Sequence, residues 1–334
     1  MSRNAPKGQE GPEAIFDVAR GFMAAKALMT ACEVGLFAAL DRPADADELA
    51  SRCGLTARAA RLLANALVAT DFLELNDNQY KNSAVAEAWL SGRSPFDLSP
   101  MMSLMNHVTF PQWQYLDEAV ATGAPIDEAS RHKEEHRQVY SRGMAAIVFG
   151  TAQALAAAYD FSVHQRLLDI GGGTGNFSAS ILRAFPELQA TVFDLPHVAA
   201  QTRELLDTQR PHGGRMGVAA GDVFVDSLPV DHDVILAANF LHQFSAEQNR
   251  DLLRRLREAV QPGVRLLLID FWTDSTGTAP PLAALSGLQF LITTEGGSVY
   301  SVEDAQEWLG ETGWTFLRLV PLAGMSALVV AEAC

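Results

Sequence analysis

The stretch that most limits what this chain can become is Arg166-Leu-Leu-Asp-Ile-Gly-Gly-Gly-Thr-Gly-Asn176, an apolar run that breaks into glycines. Leu167, Leu168 and Ile170 read as a short buried strand, Gly171 to Gly175 as a tight turn, and Phe177 to Phe185 as the helix that follows. Strand, glycine turn and helix in that order make a nucleotide-binding turn. The backbone has to bend with no Cβ in the way, so that a ligand can lie against main-chain N–H groups at the helix N-terminus.

Spacing narrows the ligand. A dinucleotide fingerprint reads G-x-G-x-x-G, its last glycine serving close helix and strand packing. Here the glycines fall at Gly171, Gly173 and Gly175, and the place of the last fingerprint glycine is taken by Asn176. Asp169 precedes the turn, where a carboxylate would repel a pyrophosphate but suits a cationic ligand or braces the loop through its amides. S-adenosylmethionine, with its sulfonium and α-ammonium groups, is such a ligand. The next apolar run, Gln189-Ala-Thr-Val-Phe-Asp-Leu195, ends in Asp194, placed to bond both hydroxyls of a ribose. Asp222, in Ala220-Gly-Asp-Val-Phe224, closes the run after that and can hold an adenine edge. Each aspartate alone reads equally well as a turn or helix cap. Together with the glycine turn, in this order, they favour S-adenosylmethionine.

Leu168-Asp-Ile-Gly-Gly-Gly-Thr-Gly175, Phe193-Asp-Leu-Pro-His197, Gly221-Asp-Val-Phe224, Asn239-Phe-Leu-His242 and Gly296-Gly297 together resemble the small-molecule O-methyltransferases of the acetylserotonin and caffeic acid type. The likeness covers nearly the whole chain. It implies an S-adenosylmethionine site lined by Asp169, Gly171, Gly173, Asp194, Leu195, Asp222, Val223, Phe224 and Asn239. It also implies an aromatic small-molecule acceptor in bacterial-type secondary metabolism, and a homodimer.

The chain has 334 residues, enough for two domains with their own cores. Its formal charge of -15 argues against a phosphate backbone or an anionic membrane as the main partner. Cys32, Cys53 and Cys334 lie far apart with no paired spacing, which predicts neither a disulfide framework nor a zinc site and fits a reducing cytoplasm. No secretory leader is legible in Met1 to Gly11, and no segment approaches the ~20 unbroken apolar residues of a membrane span.

Residues 1–150 are expected to form a helical, winged-helix dimerisation and substrate-lid domain. From Pro12 to about Leu40 an alanine-rich helical pattern brings Phe16, Ala19, Met23, Ala27 and Ala31 to one face. That face is core or, as the resemblance implies, a contact with a second subunit. Helices at Asp45–Ala50 and Thr56–Val68, then Phe72–Leu75, an Asn76-Asp-Asn78 turn and Gln79–Asn82, give the winged-helix outline. A DNA-binding regulator is therefore a second reading. Its recognition helix would carry Arg58 and Arg61, but the chain around them is acidic. Large soft side chains crowd the stretch from Met101 to Gly150, and the resemblance makes Met105, Phe110, Trp113, Met144 and Phe149, with the later Phe290, the roof of a substrate pocket. His132-Lys-Glu-Glu-His136 mimics the zinc-protease motif, but Lys133 stands where that motif needs its acid, so a solvated helix without metal is expected.

Residues 151–334 are expected to be the catalytic domain. Apolar runs at Leu167–Ile170, Ala190–Phe193, Met216–Ala219, Asp233–Ala238 and Val264–Ile269 alternate with helical patterns near Phe177, Val198, Ala246 and Leu282. This is the pattern of an α/β, Rossmann-like, doubly wound and mostly parallel sheet, with its ligand outside the carboxyl ends of the strands. Phe316–Val320 and Ser326–Ala331 read as a terminal hairpin at one edge. Chemistry belongs at the carboxyl ends. The strand from Asp233 delivers His242, and Ser245 with Gln248 forms a capping box that starts the next helix. The resemblance makes His242 the general base, and Asp270, closing the next strand, is placed to orient it. The sequence departs from the family pattern after Gly296-Gly297, where plant members carry a glutamate and this chain carries Val299. That departure leaves room for a C- or N-methyltransferase or a non-methylating relative.

Overall fold

In this computed structural model the described residues are 11–127, 137–209, 211–322 and 324–334. The chain divides into two compact units. One ends at Phe110 and regains the stretch up to Ala146, and the other holds Pro111 onwards and Ile147–Cys334.

In the first unit a helix spans Glu13–Glu33. The expected helix to Leu40 is interrupted because Gly35 takes φ 68°, and a separate short turn of helix, Leu36–Ala39, follows. Helix Ala46–Cys53 is started by the Asp45 carboxylate, which accepts the N–H groups of Asp47 and Glu48. Thr56 caps Ala57–Ala69 in the same way. Strands β1 (Leu73–Asn76) and β2 (Gln79–Asn82) pair antiparallel across a turn in which Asp77 and Asn78 have φ 50° and 62°. Two successive left-handed residues give the primed turn whose twist matches a hairpin, and Asp and Asn tolerate it best after glycine. Leu36, Phe37, Leu49, Leu67 and Leu73 close this unit's core.

The second unit carries the sheet. Its strands are β3 (Arg166–Ile170), β4 (Gln189–Asp194), β5 (Met216–Ala220), β6 (Val234–Ala238), β7 (Arg265–Phe271), β8 (Trp314–Pro321) and β9 (Ser326–Ala333), in the order β5-β4-β3-β6-β7-β9-β8. β3 through β7 pair parallel, and β9 runs antiparallel beside β7 with β8 outside it, as the terminal hairpin predicts. Leu167, Leu168, Val234 to Ala237 and Leu266 to Ile269 are fully or almost fully buried, so these strands read as continuous apolar runs rather than alternating ones. Helices on both faces have that effect in a parallel sheet. They are Asn176–Ala184, Pro196–Gln209, Ala246–Glu258 and Pro281–Thr293, as the sequence predicts, joined by Val302–Glu311. That last helix was not expected. Its signal lay in Ser301 and Asp304, which form a reciprocal capping box, and in Ala305, Trp308 and Leu309, which bury its inner face.

The division between units also differs from an expected boundary at residue 150. Residues 111–127 pack with the catalytic unit, where Ile126 N–H donates to the Ile292 carbonyl and the Trp113 indole to the Gln289 amide.

Candidate active site

The glycine turn lies between β3 and helix Asn176–Ala184, with Gly171, Gly173 and Gly175 at φ 63°, 55° and 76°. Their reasons for being glycine differ. A Cβ on Gly171 would strike the Phe240 ring at 2.3 Å, and one on Gly175 the Met216 sulfur at 2.9 Å, whereas at Gly173 nothing lies within 4 Å. Gly171 and Gly175 therefore serve packing, and Gly173 opens on space. The Gly173 N–H donates to Asp194 Oδ2 at 2.8 Å, and the Leu195 N–H to Asp194 Oδ1 at 2.7 Å. The Thr202 hydroxyl takes the Gly173 carbonyl at 2.7 Å. Asp194 stays half-exposed at the end of β4, with acceptor capacity left on both oxygens.

Asp169 is buried. Its Oδ2 accepts the Ser178 hydroxyl at 2.6 Å, and a Cβ on Gly172 would meet its carboxyl carbon at 2.7 Å. Through Ser178 it ties the end of β3 to the first turn of helix Asn176–Ala184. Burial pushes its pKa up to about 7, opposed by the Ser178 hydroxyl and reinforced by the charge of Asp194. Asp169 Oδ1 has no hydrogen-bond partner, and neither has the buried Asn239 Oδ1 at the end of β6, the strand beside β3. Asn239 itself is held at φ 53°. Unmatched acceptors on adjoining strand ends fit an ammonium or sulfonium ligand, since a pyrophosphate would need donors there. Asp222 accepts the Phe224 N–H at 2.9 Å and caps its own turn, while Val223 is buried behind it.

His242 stands in a short turn, Leu241–Gln243, after β6. Its Nδ1 lies 2.7 Å from Asp270 Oδ1, with imidazole and carboxylate 11% and 4% exposed. The His242 N–H reaches Asp270 Oδ2 at 3.2 Å, and the Phe271 N–H donates to Oδ1 at 2.9 Å. A carboxylate only accepts, so this pair favours a proton on Nδ1, and the neutral ring so held would carry its lone pair on Nε2. Surrounding groups fix the turn. The buried Asn249 amide donates to the Leu241 and Phe244 carbonyls, and the Tyr300 hydroxyl donates to the Phe244 carbonyl at 2.6 Å. A Cβ on Gly297 would lie 2.4 Å from the His242 carbonyl oxygen, which explains the second glycine of Gly296-Gly297.

The Phe290 ring stacks on the His242 imidazole at 4.3 Å between centroids, so this residue, expected in the pocket roof, lies directly against the histidine. The Trp113 indole bonds Gln289, the residue before Phe290, and Phe149 belongs to the same unit. Met105, Phe110 and Met144 belong to the first unit, where the Lys26 ammonium sits 5.3 Å from the Phe110 ring. Val299 is partly buried, and Asp270 is the one acid paired with His242 among the described residues. Phe271, Asn249, Tyr300 and Asp304 were not singled out from sequence. Only Asp304, in S-x-x-D spacing from Ser301, carried a local signal. The His132 to His136 motif lies outside the described residues. A shallow cleft of about 210 Å³ lined by Tyr159, Arg265 and Arg318 holds none of these groups, and Arg265 places it at the opposite, N-terminal ends of the strands. Among the described residues no helix is long and apolar enough to cross a membrane.

Known proteins resemble this chain over nearly its whole length. An O-methyltransferase domain model matches residues 103–315, and an O-methyltransferase dimerisation domain model matches residues 16–92. The second match contains the two helices and hairpin that raised the DNA-binding reading. The chain is 34% identical over 329 residues to the 3-hydroxy-5-methyl-1-naphthoate 3-O-methyltransferase of Streptomyces sahachiroi, covering 96% of this chain and 95% of that one. It is 31% identical over 330 residues to the tetracenomycin polyketide synthesis 8-O-methyl transferase TcmO of Streptomyces glaucescens, covering 96% and 97%. The structure of PigF with SAH superposes with a TM-score of 0.84 at 27% identity, covering 97% of this chain and 100% of that one. With both domain models matched in order along one chain, this protein belongs to the O-methyltransferase family.

Proposed function

We propose that this methyltransferase uses His242 as general base to methylate a phenolic hydroxyl of a fused-ring aromatic molecule, with S-adenosylmethionine as methyl donor. The observation that carries the reading is the 2.7 Å pair of His242 Nδ1 and Asp270 at the carboxyl ends of β6 and β7. It leaves Nε2 without a bonded partner among the described residues. Asp194 and the Gly173 turn would hold the donor's ribose side, Asp222 its adenine edge, and the unmatched oxygens of Asp169 and Asn239 its cationic groups. Bound there, S-adenosylmethionine supplies an electrophilic methyl on a sulfur that leaves as a neutral thioether.

The protein's own tasks are alignment and proton removal. A phenol with pKa near ~10 is mostly protonated at neutral pH, so Nε2 takes its proton as the new bond forms. Asp270 holds the ring and balances the imidazolium. The acceptor class rests on the two Streptomyces relatives, whose names place their methyl groups on a hydroxynaphthoate and on a polyketide. The homodimer rests on the dimerisation match and on helix Glu13–Glu33, which leaves Ile15, Val18, Phe22 and Met23 more than half exposed in the single chain.

The test is His242→Ala, assayed with labelled donor against hydroxylated naphthoates and larger fused-ring phenols. The expected outcome is a kcat lower by about 10²- to 10⁴-fold with donor affinity near wild type by calorimetry. Nearly full activity in that variant would show that alignment alone drives the transfer. Methyl gain on an aromatic amine or ring carbon in place of the phenols would replace the acceptor assignment.

A further inference from the structure

Asp270 does not by itself fix the imidazole. It bonds one edge of the ring through Nδ1, and χ2 of a histidine is a soft, broad torsion, so a ring held at one nitrogen still tilts about that bond. Nε2, on the far edge, sweeps the widest arc. In-line transfer tolerates little of this, since a displacement of about 1 Å can cost as much as about 10²-fold in rate.

Two aromatic rings restrict the tilt. Phe290 lies nearly parallel to the imidazole, 14° between planes and 4.3 Å between centroids, and Phe271 lies at 12° and 5.9 Å. The closer ring is firmly mounted. Its neighbour Gln289 accepts from the Trp113 indole at 2.5 Å and donates to the buried Gln112 side chain at 2.9 Å. The carbonyl of Phe290 accepts the Thr294 N–H at 2.8 Å, and the Thr294 hydroxyl in turn accepts the Gly297 N–H at 2.9 Å. Gly297 is the residue pressed on the His242 carbonyl. One segment, 289–297, therefore meets His242 twice, at the ring through Phe290 and at the backbone through Gly297.

We propose that Phe290 is the positioning residue of the base: its ring holds the His242 imidazole in the plane set by Asp270, so that Nε2 stays aimed at the acceptor oxygen. This deepens the general-base reading above and rests on it. Phe290 was expected to shape the acceptor pocket, and the two roles predict different behaviour. A pocket wall acts on the acceptor whether or not the imidazole is there. A positioning ring acts only through the imidazole.

A double-mutant cycle separates them. In the wild-type background Phe290→Leu, which keeps apolar bulk without a ring, should lower kcat about two- to tenfold, the factor an aromatic stack is worth, with donor affinity kept. In the His242→Ala background the same change should alter kcat by less than about twofold. Phe290→Tyr, which keeps the ring, should lose less than Phe290→Leu. Proton NMR gives a readout independent of any acceptor: the His242 Nδ1–H resonance held by Asp270 should broaden in Phe290→Leu. Phe290→Met, an unbranched apolar residue, repeats the cycle if the leucine variant does not fold. Equal losses in both backgrounds, or an unchanged Nδ1–H resonance with an unchanged kcat, would overturn the proposal and leave His242 as base. Full activity of His242→Ala alone would instead remove the base reading, and the positioning role with it.

Discussion

Replacing Asp270 by asparagine tests how the base is oriented, because the hydrogen bonds around it decide which way the amide turns. Oδ1 accepts from His242 Nδ1 at 2.7 Å and from the Phe271 N–H at 2.9 Å, and Oδ2 accepts from the His242 N–H at 3.2 Å. If the asparagine oxygen takes the Oδ1 place, both short bonds survive and only the longest one becomes a donor facing a donor. If the amide is flipped, its nitrogen faces the Phe271 N–H at the shorter distance and must donate to Nδ1, which moves the imidazole proton to Nε2 and abolishes the base. The first orientation is favoured, so the working tautomer is kept and only the charge is lost. A hydrogen bond to a charged group is worth about 1 to 1.5 kcal/mol more than a neutral one, which corresponds to a kcat about tenfold lower. The donor left facing the His242 N–H should also cost about 1 to 3 kcal/mol of stability, read from urea unfolding. Steady-state kinetics with saturating donor measures the rate, and calorimetry checks that donor affinity stays near wild type. A loss of about 10³-fold or more would mean the amide had flipped, and the ranking of the two orientations would be wrong. A folded Asp270→Asn enzyme at full rate would show that the carboxylate has no part in the reaction.

Two further variants probe the donor site. Asp194→Ala removes the acceptor for the Gly173 and Leu195 N–H groups together with the proposed ribose partner, so S-adenosylmethionine affinity should fall by at least about tenfold by calorimetry, and unchanged affinity would remove Asp194 from the site. Asp169 has an ordinary value of 3.8 raised by burial to about 7, so the folded state holds its proton more tightly than the unfolded chain does. Stability from this group is therefore full below the ordinary value and is lost as pH rises through about 7, by up to a few kcal/mol. Asp169→Asn should flatten that fall when urea midpoints of the two proteins are compared from about pH 5 to pH 8, and identical pH dependence in both would refute the assignment.

What the sequence revealed and what it hid follow the range of the interactions involved. The glycine turn was legible because its requirement is local: Gly171, Gly173 and Gly175 each adopt positive φ within a few residues of the strand they end. The placement of His242 was legible by the same logic, between a buried strand and a capping box that Ser245 and Gln248 complete, while its proposed role came only from the family resemblance. The parallel pairing of the central strands followed from alternation, since it needs a crossover and the helices supply it, whereas the order of the strands did not. Long-range contacts left no such trace. Phe271 and Phe290 come to the imidazole from another strand and another helix, and an aromatic residue on an apolar helix carries no mark of what it will face. Asp169 shows the middle case: its place before the glycines was readable, but its partner Ser178 sits a further turn into the helix, and the choice between bracing the loop and facing a ligand needed coordinates. The attachment of the 111–127 stretch left no trace either, because the Gln112, Trp113 and Ile126 contacts to helix Pro281–Thr293 span about half the chain.

The glycine turn and the segment that carries His242 are packed together. The Phe240 ring occupies the space where a Cβ on Gly171 would lie, so the first glycine of the turn admits a residue of the segment that carries His242. Phe240 packs edge-on to Phe244 at 4.9 Å, and Phe244 packs edge-on to Phe224 at 5.0 Å, next to Asp222. The Phe244 carbonyl then receives the Tyr300 hydroxyl and the Asn249 amide. His242 lies between the two rings in sequence, on a backbone pinned at both ends. The glycine turn, the Asp222 loop and the His242 segment thus share one run of aromatic packing. Under the proposed mechanism, an in-line displacement of methyl from sulfur to oxygen benefits from such packing, because what must be held is the placement of the proposed donor site relative to His242.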